Sequence, residues 1–474
     1  MKEIGKEVYN DLPKNFIYEG LVQAQDKYYF FYSSWTGKKT KHERLFYREI
    51  NFDAGTFKGE SIKVADHDGY LANFFSKGGI SMSFGYGSFS FGSTKFHLMT
   101  SKDESKILIE YRKKPTVKKD TKSWDIINVN VFDVDMNKQW AKQYKMPYTE
   151  RRMSFLDNMV DNDGNVFMLS KVYHDDSNKD KKKRKDKETN YHIELFELNS
   201  SLGKIETSKI SLGDKFINGI SVYQANNKEI ICAGYYNNGT SRSAANGIFA
   251  YTIDQNGDLI SKSHHEIPLE ILNQHATRKG KKKNNKKEKK GKAEAGSLSL
   301  DKLIIHSDGG LTFVGEVYYT VYHYTKTGGY YTYHYGDVHI SKINSKGELL
   351  WMKKIPKKQI GRRGKGGMSY THFNANGNHY LIYLDNVKNF NLPLDKIPAL
   401  HSDGQGGYLT AVKINDKTGE LIKGSILDFR QIKGGIVAYQ FNTDRIVKIK
   451  ENEFFVEVYK KKKEDVFLKV EMKK

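Results

Sequence analysis

The chain has 474 residues, 38% of them apolar and 13% aromatic, with 31 Tyr, 26 Phe and a formal net charge of +22. No run of 18 apolar residues occurs, which argues against a transmembrane helix, and a single cysteine, Cys232, rules out an internal disulfide or a cysteine-based zinc cluster. Tyr and Phe favour strands, and 3.6-residue periodicity is nearly absent outside a short stretch at 267–274, so the chain reads as all-β.

Taken in order, the N-terminal Met1-Lys2-Glu3-Ile4-Gly5-Lys6 has no apolar signal stretch. The expectation is a cytoplasmic chain if Met1 is the native start. If a signal has been removed, it is a cell-envelope chain, periplasmic or outer-membrane associated. From Tyr28 onward a two-hairpin unit recurs. Its first turn appears at Gln25-Asp26-Lys27, Lys102-Asp103-Glu104, 161–165, Ala225-Asn226-Asn227, 306–310, Asn374-Ala375-Asn376-Gly377 and Lys450-Glu451-Asn452. Its second turn appears at Asp53-Ala54-Gly55, Asp135-Met136-Asn137, Ser201-Leu202-Gly203, Gln255-Asn256-Gly257, Lys346-Gly347 and Lys417-Thr418-Gly419. Asp, Asn and Gly between apolar runs mark antiparallel hairpins.

The unit is clearest at 298–354, where four short strands follow one another. First turns are about 60 to 80 residues apart, above the forty-odd of a minimal propeller blade, and the excess lies in insertions. The expectation is one seven-bladed β-propeller domain over residues 1–474, with six or eight blades as near alternatives and two stacked β-sandwiches as the rival. The last unit stops after the strand 465–470. The sequence therefore predicts closure by pairing of the N- and C-terminal strands, with Glu7-Val8-Tyr9 as the closing strand.

Charge is concentrated in three runs. Residues 179–188 carry seven basic and three acidic side chains, 278–292 ten basic and one acidic, and 353–365 seven basic and none acidic. The first two read as disordered lysine-rich insertions spanning 174–190 and 276–297. The third mixes Arg362, Arg363 and Lys365 with turn glycines and reads as an ordered loop that contacts anions. Cys232 lies in an apolar run and reads as a core residue.

Residues 318–336 form the most unusual stretch, a protruding Tyr-rich β-hairpin. With Gly328-Gly329 as its loop, Thr327 faces Tyr330 and His323 faces His334. That pair is the weak metal candidate, short of a third ligand, with His339 the nearest. Tyr322, Tyr324, Tyr331 and Tyr333, with Arg362, Arg363 and Lys365, are the expected partner-contacting residues. Tyr brings large area and a polar tip at low entropy cost.

Three stretches carry resemblances. The segment His306-Ser307-Asp308-Gly309-Gly310-Leu311-Thr312-Phe313 resembles the Asp-box turn of sialidases, a structural hairpin away from the catalytic pocket. Residues 346–351 and 414–421 look like blades of quinoprotein-type propellers, and that resemblance implies that Trp140 and Trp351 dock one blade on the next. The Tyr/Thr ribbon, the strand 338–343, Gly-Glu-Leu-Leu-Trp at 347–351 and Lys-Ile-Pro-Lys-Lys-Gln at 354–359 resemble uncharacterised exported β-propeller proteins of Bacteroidota. This resemblance implies a propeller with a signal peptide ahead of it and implies no activity.

No Gly-x-Ser-x-Gly elbow, P-loop or His-Glu-x-x-His occurs, and no catalytic residue or cofactor is indicated. The expectation is a non-catalytic binding or assembly propeller of a bacterial cell envelope. Its partner would be a protein or an anionic glycan or lipid surface, with nucleic acid disfavoured. The alternative is a glycan-binding or glycan-active propeller with a central-channel site.

Overall fold

The computed structural model describes residues 8–51, 53–74, 88–89, 95–115, 122–181, 188–200, 204–239, 243–254, 256–404, 407–428, 443, 446–450, 453–460 and 464–471. The chain is all-β, and its described strands fall into seven sheets in chain order, antiparallel apart from the short pair Gln359–Gly361 and His401–Ser402. Each sheet is built on a meander of three or four strands matching one sequence unit, with short extra strands added to the first, second and fifth. The first sheet holds Ile17–Ala24, Lys27–Trp35, His42–Asn51 and Thr56–Asp68; the third runs from Met153–Val160 to Glu206–Ile210; the fourth holds Ile230–Asn237 between Phe216–Gln224 and Gly247–Ile253, with Leu259–Glu266 outermost. The fifth is built on Leu298–Ile305, Leu311–Thr325, Gly328–Ile343 and Leu349–Ile355, and the sixth holds Thr371–Ala375, Asn378–Asp385, Tyr408–Asn415 and Leu421–Asp428. The seventh has three strands, Ile446–Lys450, Glu453–Lys460 and Glu464–Glu471.

Turn chemistry explains why the units are so regular. Asp133, Asp161, Asp254 and Asn344 each use one side-chain oxygen to accept from the backbone N–H groups two and four residues on, at 2.7–3.0 Å. That wrap requires a left-handed residue at the fourth position, supplied by Met136, Gly164, Gly257 and Gly347. The expected turns at Ser201-Leu202-Gly203 and Glu451-Asn452 lie outside the described residues.

Sheets stack face to face through six apolar clusters, one at each seam from the first sheet to the seventh. Strand Ile230–Asn237 is buried along its whole length. Ile230 and Cys232 pack toward the third sheet, Ile231 and Ala233 toward the fifth. A strand covered on both faces reads as a continuous apolar run, which is how this one reads in sequence. Cys232 is buried, and burial pushes its thiol up. Trp140 donates its indole N–H to Gly164 O at 2.9 Å, and Trp351 to Asp416 O at 3.0 Å, each on the following sheet. The tryptophans thus dock one sheet on the next.

Two expectations are corrected. Val8 and Tyr9 belong to no strand. The Tyr9 ring lies 4.7 Å from Phe57 and its hydroxyl accepts from Phe57 N at 2.9 Å. The reason is Arg48, a buried guanidinium that stands over both rings and pairs with Asp11 at 2.8 Å. Burying that charge requires the Asp11 carboxylate, so the N-terminal arm is held against the first sheet.

The lysine run of 276–297 is also ordered. Arg278–Glu288 is an α-helix, capped by Thr277, whose hydroxyl accepts from Gly280 N at 2.8 Å. Lys is a good helix former and the cap supplies a missing acceptor, so the segment is helical without an apolar face. Of the 174–190 insertion, residues 182–187 lie outside the described residues, and its flanks are joined by Asn190 N to Asp180 O at 2.8 Å.

Candidate functional site

Meander topology sorts the loops onto two ends. Turns from first to second and third to fourth strands share one end; connections from second to third strands and to the next sheet share the other. The tight Asp/Asn/Gly turns therefore occupy one end, and the insertions occupy the opposite one. Those insertions include the helix Arg278–Glu288, the Tyr hairpin, the Arg loop 356–370 and the loop 386–407.

Four of them are tied into one platform. His275 N donates to Leu394 O at 2.8 Å and the His275 ring contacts Lys396 O at 2.9 Å, joining the helical segment to the 386–407 loop. Lys354 Nζ donates to Gln274 O at 2.7 Å. The short strand Gln359–Gly361 pairs antiparallel with residues 333–335 of the hairpin and parallel with His401–Ser402.

Beneath the hairpin base lies a buried polar cluster. The fully buried ammonium of Lys357 meets Glu316 Oε1 at 2.6 Å and Gln359 Oε1 at 3.0 Å, and Ser369 Oγ donates to Glu316 Oε2 at 2.7 Å. Burial pushes the Glu316 carboxyl up, and Lys357 opposes that shift. With each partner satisfied, the cluster fixes the loop to the sheet.

The hairpin is built from Leu311–Thr325 and Gly328–Ile343, joined at Lys326-Thr327. This corrects the expected register. His323 lies opposite Tyr330, and His334 opposite Tyr319. The cause is Gly329, placed opposite Tyr324, where a Cβ would fall on the Tyr322 hydroxyl; only glycine admits that ring. His323 and His334 therefore do not face each other. Their Nε2 atoms instead share the Thr332 hydroxyl, at 2.9 and 3.0 Å. His339, the expected third ligand, is buried lower on the strand, opposite Lys354.

Tyr322, Tyr324, Tyr331 and Tyr333 fall on one face of the ribbon, since alternate residues share a face. Tyr322 lies 4.8 Å from Tyr331 and 4.7 Å from Tyr324, which is 88% exposed. On the opposite face Tyr319 stacks on His334 at 4.5 Å and His323 on Tyr330 at 4.9 Å, with the Arg362 guanidinium 4.5 Å from the Tyr330 ring. Burial and the neighbouring His323 keep His334 below its ordinary pKa. Arg362 and Arg363 are exposed and Lys365 is half-buried, in a loop held by Asp403, which accepts from Gly367 N at 2.8 Å.

The structure thus brings the four tyrosines together on one face and sets Arg362 on the other. Sequence reasoning marks 385–407 as an insertion but misses its part in the site, where Leu394, Ile397 and Leu400 are exposed, Leu394 by 64%. Three apolar residues within seven positions of a loop were the available signal.

No family model matches this chain, and no curated protein matches it. It is similar to solved structures that share only about a tenth of its residues. One is a protein of unknown function from Bacteroides caccae, 10% identical over 88% of this chain and 96% of that one, with a TM-score of 0.28. A second is a PL25 ulvan lyase, 10% identical over 95% and 91%, with a TM-score of 0.38. A third is the NanB sialidase of Streptococcus pneumoniae, 10% identical over 92% and 80%, with a TM-score of 0.36. Among the described residues no helix is long and apolar enough to cross a membrane.

Proposed function

We propose that the chain is a seven-bladed β-propeller, closed between its seventh and first sheets. It works without catalysis as a binding and assembly component of a bacterial cell envelope. Its insertion-bearing end docks a partner protein with an acidic surface. The observation that carries this reading is the gathering, on one end, of a face of exposed tyrosines, exposed Leu394, Ile397 and Leu400, and basic groups from three separate insertions. Aromatic anchors with arginine are the usual composition of binding hot spots, and clustered positive charge steers acidic partners. Envelope placement is supported by the resemblance of residues 318–359 to exported propellers.

A second reading has one observation of its own. Tyr330, stacked on His323 and 4.5 Å from the Arg362 guanidinium, offers an aromatic and cationic surface that also suits an anionic glycan. The test is a combined variant, Tyr322→Ser, Tyr324→Ser, Tyr331→Ser and Arg363→Glu, compared with the native chain in size-exclusion chromatography of envelope extracts. The native chain is expected in a high-mass fraction and the variant as a free protomer, because each lost hot spot costs about 2 kcal/mol. Unchanged co-migration of the variant contradicts docking through this end. Hits on a glycan array with a lone native chain, or polysaccharide turnover by the pure protein, favour the glycan reading.

A further inference from the structure

At the end opposite the platform, turns of consecutive sheets meet in pairs. Asp103 N reaches Asn162 Oδ1 at 3.4 Å, Lys228 Nζ reaches Asp163 Oδ2 at 2.7 Å, and Asn226 Nδ2 donates to Ser307 O at 3.1 Å. Amides and a lysine make those contacts. The seam between the fifth and sixth sheets differs, because three imidazoles and a carboxylate converge there. His306 follows the first strand of the fifth sheet, His372 and His379 flank the first turn of the sixth, and Asp416 opens its second turn.

We propose that His306, His379 and Asp416 bind a divalent transition-metal ion at this seam. Their ligand atoms all lie within 4.8 Å of one another. His379 Nε2 is 2.9 Å and His306 Nε2 3.7 Å from Asp416 Oδ1. Metal–nitrogen and metal–oxygen bonds of about 2.0–2.2 Å place ligand atoms of a tetrahedral site a little over 3 Å apart, so small side-chain rotations complete the geometry.

The surroundings orient two of the ligands. His372 Nε2 lies 3.1 Å from His379 Nδ1, so His372 can accept the Nδ1 proton and leave His379 Nε2 free to ligate. Lys342 Nζ holds Asp416 Oδ2 at 2.5 Å and leaves Oδ1 facing the imidazoles. Thr312 Oγ1 lies 2.8 Å from this same His306 Nε2, and an incoming ion displaces that hydrogen bond.

A pocket of about 210 Å³, lined by these three residues and by 374–378, opens beside them and leaves the remaining positions to water or a small ligand. Two imidazoles and one carboxylate suit Zn²⁺, Co²⁺ or Ni²⁺ rather than Mg²⁺ or Ca²⁺. The nearby Lys342 charge opposes a dication, so Lys342→Gln is expected to tighten binding.

The test is a titration of tag-free protein with Co²⁺, read by visible d–d absorption, followed by Zn²⁺ competition. The expected result is a signal that saturates at a single equivalent, is displaced by Zn²⁺, and is lost in His306→Ala and in Asp416→Asn. Both variants should keep the far-ultraviolet circular dichroism of the native chain. Lys342→Gln should bind several-fold more tightly. No saturable signal overturns the proposal, as does a signal that persists in both variants. If His306→Ala fails to fold, Asp416→Asn, nearly identical in shape, decides alone. Tighter binding by the lysine variant separates a metal site from a hydrogen-bond network that merely joins the sheets.

Discussion

His339 is a buried imidazole in the third strand of the fifth sheet, with Lys354 and Asp337 as its charged neighbours and its Nδ1 without a partner. Burial, reinforced by Lys354, lowers its pKa to about 4. A histidine depressed in the folded state favours the folded protein only while neutral. Its contribution is complete above the unfolded pKa of about 6.5 and is lost as pH falls through about 4. Replacing it with an apolar side chain removes that loss together with an unsatisfied nitrogen. His339→Leu is therefore expected to match the native chain in urea denaturation at pH 7.5 and to be more stable by about 2–3 kcal/mol at pH 4. An equal difference at both pH values would show that the imidazole does not titrate with folding. The same scale shows what sequence conceals. Glu316 and Lys357 look like ordinary strand and loop residues, and their pairing depends on a 41-residue return of the chain. His306, His379 and Asp416 likewise come from three separate hairpins, each readable only as a hairpin.

At the scale of elements, local chemistry was legible and pairing register was not. The Asp and Asn turns follow from contacts within five residues, which is why their positions agree with the structure. The Tyr hairpin register depends on one ring crossing to the partner strand over Gly329, and spacing alone does not reveal it. Residues 278–288 were legible as charge but not as a helix, because no residue of that helix is buried and no periodicity marks it. The preceding helix, Leu269–Asn273, contrasts with it, for Ile271 and Leu272 enter the apolar cluster between the fourth and fifth sheets. Replacing residues 278–292 with a short Gly/Ser linker is expected to shift stability by about 1 kcal/mol or less, as for a surface change. It should also weaken heparin affinity and flatten its salt dependence. Ile271→Asp, which buries a charge, is expected to cost about 3 kcal/mol or more. Thermal melts of the two variants check this. A cooperative loss of folding in the linker variant contradicts a solvated helix.

For the whole molecule, the stack of seven sheets was legible because each unit repeats the same alternation of apolar strand and polar turn, and six seams bury what those strands present. The role of the N-terminus was not, because the buried Arg48 that holds Tyr9 and Asp11 carries no local signal. A chain starting at Asp11 keeps the ion pair but loses the Tyr9 ring contact and the acceptor for Phe57 N. Its expected cost is about 1–2 kcal/mol. A loss of several kcal/mol with aggregation would instead show that this arm closes the ring as a strand.

Topology assigns aromatic, apolar and basic insertions to one end and tight turns to the other, and the account depends on which end meets the partner. Cross-linking mass spectrometry of the proposed envelope assembly measures this directly, with lysines available at both ends. The predicted result is intermolecular cross-links concentrated at Lys326, Lys365 and the helix Arg278–Glu288. Intermolecular cross-links confined to Lys102, Lys228, Lys346 and Lys417, on the tight turns, would contradict it.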